Sequence, residues 1–90
     1  MALGGSGSTV YKEILNKICK DDKNKEDCDG DYSMEQCISH GKDKCNLDAS
    51  CNGISHERSK NEVRYCYSSD IENGYKFYWN TYMKSESGKL

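Results

Sequence analysis

Apolar side chains are sparse in this chain, and their spacing changes along its length. Tyr11, Ile14, Leu15 and Ile18 recur at the i, i+3, i+4, i+7 spacing of one helix face, which predicts an amphipathic helix over Thr9–Cys19. Lys20 to Asp31 is almost wholly charged or polar and contains the turn signal Asp29-Gly30, so a solvated loop is expected between Cys19 and Cys28. Ser33-Met34-Glu35-Gln36 fits the Ser-x-x-Gln capping box, in which each side chain satisfies a backbone N–H of the other residue. Met34, Cys37 and Ile38 then follow at i, i+3, i+4, so a helix begins here, with Gly41 as its stop or its weak point.

From Ile54 onward the period is two, and Asn52-Gly53 and Asn73-Gly74 mark tight turns. In Tyr75–Lys84 one parity collects Tyr75, Phe77, Trp79, Thr81 and Met83, and the other Lys76, Tyr78, Asn80, Tyr82 and Lys84. The first set is expected to face the core and the second water. Over Val63–Ser69, a Cys66 that faced the helix would turn Val63, Tyr65 and Tyr67 to the outer surface. One helix packed on one antiparallel β-sheet, a small disulfide-rich α+β domain, is the architecture these signals favour.

Composition explains how so thin a pattern holds one shape. Leu, Ile, Val and Phe total twelve of 90 residues, below the roughly 20% under which chains tend towards disorder. Six cysteines, none in a Cys-x-x-Cys pair, read as three disulfides, and therefore as a protein that is secreted or on the extracellular face of the cell surface. Seven tyrosines, one tryptophan and one phenylalanine supply the bulk that aliphatic residues do not. The net charge of −2 argues against nucleic acid, and no run approaches the roughly 20 apolar residues of a bilayer span, so no membrane insertion is expected. Residues 1–8 read as an appended leader or linker, residues 9–85 as the domain and residues 86–90 as a disordered tail.

The titratable groups suggest no catalysis and no metal. His40, near a helix end, and His56, within His56-Glu57-Arg58, read as solvated surface. Glu13, Glu26, Glu35, Glu57, Glu62, Glu72 and Glu86, spread among lysines, read as solubility charges. The cysteine spacings do not match a zinc site, the acidic loop lacks the EF-hand pattern, and no nucleophile has an adjacent base. The expectation is a protein that is not an enzyme and holds no cofactor.

From Ser33 the order Ser-Met-Glu-Gln-Cys37, Cys45-Asn-Leu-Asp-Ala-Ser-Cys51-Asn-Gly-Ile-Ser, Tyr65-Cys66-Tyr67 and Tyr78-Trp79-Asn-Thr-Tyr82-Met-Lys84 resembles the PAN/apple domain family. The resemblance spans residues 33–84, with Cys45–Ser55 its most specific part. Residues Tyr11–Cys19 also look like that family's opening strand, against the helix that periodicity predicts. Cys37 and Cys45 are eight residues apart rather than one helical turn, and no cysteine follows Cys66 to tie the termini together. The resemblance implies the pairs Cys37–Cys66 and Cys45–Cys51, with Cys19–Cys28 as the remaining pair.

It also implies a non-catalytic extracellular recognition or adhesion module for a protein or glycan partner, free-standing or within a larger multidomain protein. Candidate ligand-binding residues come from the outer strand parity: Tyr65, Tyr67, Tyr78 and Tyr82, flanked by Lys76 and Lys84. Tyrosine presents rigid, amphipathic contact area at low entropic cost, although the same rings could simply cover the sheet. A free-standing secreted effector, such as a toxin, pheromone or protease inhibitor, is the alternative.

Overall fold

The computed structural model describes residues 10–28, 30, 32–74 and 78–85; the expected leader and tail lie outside them. Five strands form one antiparallel sheet in the order β1 (Tyr11–Leu15), β7 (Trp79–Lys84), β4 (Gly53–Glu57), β5 (Glu62–Cys66), β3 (Asp22–Asp27). The single helix among the described residues, α1 (Met34–Asn46), covers one face. A two-stranded ribbon of β2 (Lys17–Cys19) and β6 (Ile71–Asn73) covers part of the other.

The helix starts as its capping box dictates. Ser33 Oγ accepts the Gln36 N–H at 3.1 Å, and Gln36 Oε1 accepts the Ser33 N–H at 2.9 Å. It does not stop at Gly41. That glycine is buried beneath the sheet, where an added Cβ would lie 3.1 Å from both Ile54 Cδ1 and Val63 Cγ1. A small residue is therefore needed for the close approach of helix to sheet, and α1 runs on to Asn46.

Three other readings of the pattern are corrected. Tyr11–Leu15 is a strand rather than a helix; Asn16, at φ 63°, ends it and turns the chain into β2. Tyr11, Ile14, Leu15 and Ile18 do not share one buried face, and Leu15 is exposed. The polar stretch expected to be a solvated loop contains β3, whose register on β5 shifts between Lys23 and Lys25, with Asn24 at φ 55°. Polar sequence suits this place, because an edge strand exposes unpaired backbone groups that charged side chains protect. Asn52-Gly53 makes no turn: Gly53 opens β4, and an added Cβ there would meet the Tyr82 carbonyl and Met83. Asn73-Gly74 borders residues 75–77, which lie outside the described residues.

The strand parities are right, and Trp79 and Thr81 of β7 are buried as expected, but on the ribbon side, while the set expected to face water lies under the helix. Ile54, Val63, Tyr65 and, less deeply, Tyr67 and Tyr82 pack under α1 together with Ile38 and the half-cystines Cys28, Cys37, Cys45 and Cys51. Cys66 alternates with Tyr65 and so points away from the helix, to the ribbon side, where Cys19 of β2 meets it. The disulfides are accordingly Cys19–Cys66, Cys28–Cys37 and Cys45–Cys51, with Cα–Cα separations of 5.7, 5.7 and 5.3 Å. Cys37–Cys66 and Cys19–Cys28 are thus replaced. The face expected to meet the helix carries the ribbon instead, and the ribbon takes Cys66.

The ribbon side is held by hydroxyl and charged groups. Ser55 Oγ accepts the Cys19 N–H at 3.0 Å and lies 2.7 Å from Thr81 Oγ1, which lies 2.7 Å from the Lys17 carbonyl oxygen. Glu57 and Glu62, and on the helix side His56, are buried rather than solvated. Glu57 accepts from the Ser59 hydroxyl and the Lys60 N–H, Glu62 accepts from Arg64 Nε at 2.8 Å, and His56 Nε2 lies 2.8 Å from Asn61 Oδ1. Each buried polar group is thereby satisfied, as burial requires. Arg64 also pairs with Asp22 and lies over the buried Trp79 ring, 5.0 Å from its centroid.

Candidate functional site

Three elements converge on the C-terminal half of α1. The irregular stretch of β3 contributes Asn24 and Glu26, the end of the helix contributes Lys44 and Cys45, and β5 contributes Tyr65, with Tyr67 just beyond it. The loop closed by Cys45–Cys51 adds Asp48. Together they line an open cleft of about 170 Å³.

Glu26 is its electrostatic centre. Tyr65 donates its hydroxyl to Glu26 Oε1 at 2.5 Å, Lys44 Nζ donates to Oε2 at 2.9 Å, and His40 Nε2 stands 3.3 Å from Oε1. The Tyr65 hydrogen bond holds the Glu26 carboxyl below the usual carboxylate range against the opposing pull of burial, with Lys44 and His40 adding to the effect. Burial, followed by that same bond, pushes the Tyr65 phenol well above its ordinary range. The Lys44 ammonium also lies 5.9 Å from the Tyr65 ring centroid. On the opposite wall, Tyr67 donates its hydroxyl to Asp48 Oδ2 at 3.1 Å, while Asp48 Oδ1 accepts the Ser50 N–H at 2.9 Å.

The residues expected to form an open aromatic face are thus distributed differently. Tyr65 is buried and Tyr67 half-buried, both at the cleft. Lys84 lies next to it, donating to the Cys45 carbonyl at 2.8 Å and the Asp48 carbonyl at 3.3 Å, where a cation suits the negative end of the helix dipole. Burial pulls the Lys84 ammonium below its ordinary range and Asp48 partly offsets this. Tyr82 lies apart, lining a shallow groove with Glu13, Ile38 and Lys42; its hydroxyl donates to Glu13 at 3.1 Å, and Lys42 Nζ is 4.7 Å from its ring centroid. Tyr78 is exposed and lines neither cleft nor groove. Lys76 lies outside the described residues.

Glu26, read from the sequence as a solubility charge, is instead held by Tyr65, Lys44 and His40, and Lys44 and Asp48 were not among the residues the sequence singled out. Glu26 sits in a charged run with no period to mark it, and only the i, i+4 spacing of His40 and Lys44 hints that two basic groups share a helix face. Among the described residues no group of three or more His, Cys, Asp and Glu side chains is placed to hold a metal ion, and no helix is long and apolar enough to cross a membrane.

Comparison of the chain with protein-family models, with curated proteins and with solved structures gave no match. The geometry above therefore carries the functional reading.

Proposed function

We propose that this domain is a non-catalytic extracellular recognition or adhesion module, PAN/apple-like in kind, that captures a protein or glycan partner at the cleft beside the helix C-terminus. The observation that carries this is the lining of that cleft: two tyrosines, two carboxylates, an amide and an ammonium group in a concavity at the surface. Three disulfides favour an oxidising compartment. The order of a capped helix, the Cys45–Cys51 loop, a strand bearing Cys66 and a closing strand with Tyr82 and Lys84 supports the family reading; the other two disulfide pairs weigh against it.

The test is partner capture by the oxidised domain on a glycan array and on a panel of displayed cell-surface proteins. Tyr67→Ala, which removes a half-buried wall of the cleft, should abolish capture and keep the native fold. Tyr78→Ala, away from the cleft, should leave capture unchanged. Capture that survives Tyr67→Ala, or none on either panel, would overturn the proposal.

A further inference from the structure

The cleft already holds a cation of its own. Lys44 occupies the position an incoming positive group would take, in front of the Tyr65 ring and paired with Glu26. Its side chain is 51% exposed, so it can swing into water without unpacking the core, whereas Tyr65 is only 6% exposed and cannot offer an open ring face. A sugar that stacks on an exposed aromatic plane is therefore poorly served here. Two carboxylates, Glu26 and Asp48, face Lys44 in the lining and Lys84 beside it, so the charges balance when Lys44 is in place and a net negative charge is left when it leaves.

From this arrangement we infer that the cleft takes a guanidinium side chain, an arginine displayed by a protein partner, and that Lys44 is the resident competitor it displaces. The inference rests on the recognition reading above and selects a protein rather than a glycan as the ligand. A guanidinium is planar and donates in a fork that suits a carboxylate, which Lys44 does less well. Glu26 Oε2 becomes available once Lys44 moves, while Oε1 stays fixed by Tyr65. Asp48 is held by Tyr67 and the Ser50 N–H, and a carboxylate has lone pairs beyond those two contacts. The volume of about 170 Å³ lies below the roughly 300 Å³ at which small-molecule pockets begin, and suits a single side chain.

The experiment is an NMR titration of the oxidised domain with Nα-acetyl-arginine amide, with the corresponding citrulline amide as its neutral match, and with a set of methyl glycosides. The arginine probe should shift the backbone amides of Glu26, Asp48 and Tyr65, and the citrulline probe should not. Lys44→Met should bind the arginine probe about two- to fivefold more tightly, the range expected for removing an exposed competing ion pair. Glu26→Gln should lose the response; if that variant fails to fold, the citrulline and Lys44→Met arms still decide. Equal shifts with citrulline, or no tightening in Lys44→Met, would overturn the inference. Glycosides that shift these amides where arginine does not would also overturn it, yet leave the recognition module standing. No response to any probe, combined with capture insensitive to Tyr67→Ala, would remove both.

Discussion

On the helix side of the sheet, Ile54 and Val63 close over Gly41, and two short disulfides pin the ends of α1 to the adjoining chain. On the ribbon side Ser55 and Thr81 meet β2 through hydroxyl groups, Arg64 bridges Glu62 and Asp22, and one long-range disulfide joins the layers. The first side is cohesive through apolar packing, while the second depends on complete hydrogen bonding and a covalent tie. A chain so poor in aliphatic residues can furnish one apolar face but not two, so the second layer is built from polar contacts that must each be met.

Removing disulfides separates the two sides most sharply. Cys19–Cys66 spans 47 residues of sequence, against 9 for Cys28–Cys37 and 6 for Cys45–Cys51. Loop entropy assigns about 4 kcal/mol to the first and roughly 2 to 3 kcal/mol to each of the others. The double variant Cys19→Ala/Cys66→Ala should therefore lose markedly more stability in urea than Cys45→Ala/Cys51→Ala. Equal losses would mean that the longer loop confers no added stability, and would break the contrast.

Point substitutions sharpen the contrast at a smaller scale. Gly41→Leu should cost about 1 to 3 kcal/mol by overpacking against Ile54 and Val63, while Gly41→Ala should come out near neutral, since Ala's helix propensity offsets a 3.1 Å contact. Ser55→Ala should cost about 1 to 3 kcal/mol by a different route, because the buried Cys19 N–H loses its acceptor. Thermal melts of these variants test whether void-free packing limits one side and hydrogen-bond satisfaction the other.

The smallest expected effect is alkaline and belongs to the helix side. Burial pushes the phenols of Tyr11 and Tyr82 from 10.0 up to about 12, with Asp43 and Glu13, respectively, adding to it. The folded state thus keeps protons that the unfolded chain releases, so this stability is fully present below pH 10.0 and is lost as pH rises through about 12. Tyr11→Phe and Tyr82→Phe should each flatten that decline in denaturation midpoints measured across the range.

These differences also show what could be read in advance. The capping box at Ser33–Gln36 and the alternation in β5 and β7 are local signals, and both describe the structure correctly. What covers each face is a long-range property. The β2–β6 ribbon consists of two three-residue strands, too short to leave a period, and without it Cys66 had only the helix to meet. The same blindness hid the cleft: Tyr65 and Tyr67 were visible as aromatics, but Glu26 acquires its meaning from partners 14, 18 and 39 positions away, His40, Lys44 and Tyr65.

Strand β1 pairs with β7 in the register Tyr11 to Lys84, and the Ser85 N–H reaches the Val10 carbonyl at 2.7 Å. Both ends of the described chain consequently leave through one doorway at a single edge of the sheet. An unrelated host could accommodate the unit inside one surface loop with almost no distance to bridge, and a circular permutant joined there and cut at Ser68–Ser69 would keep every pairing of the parent.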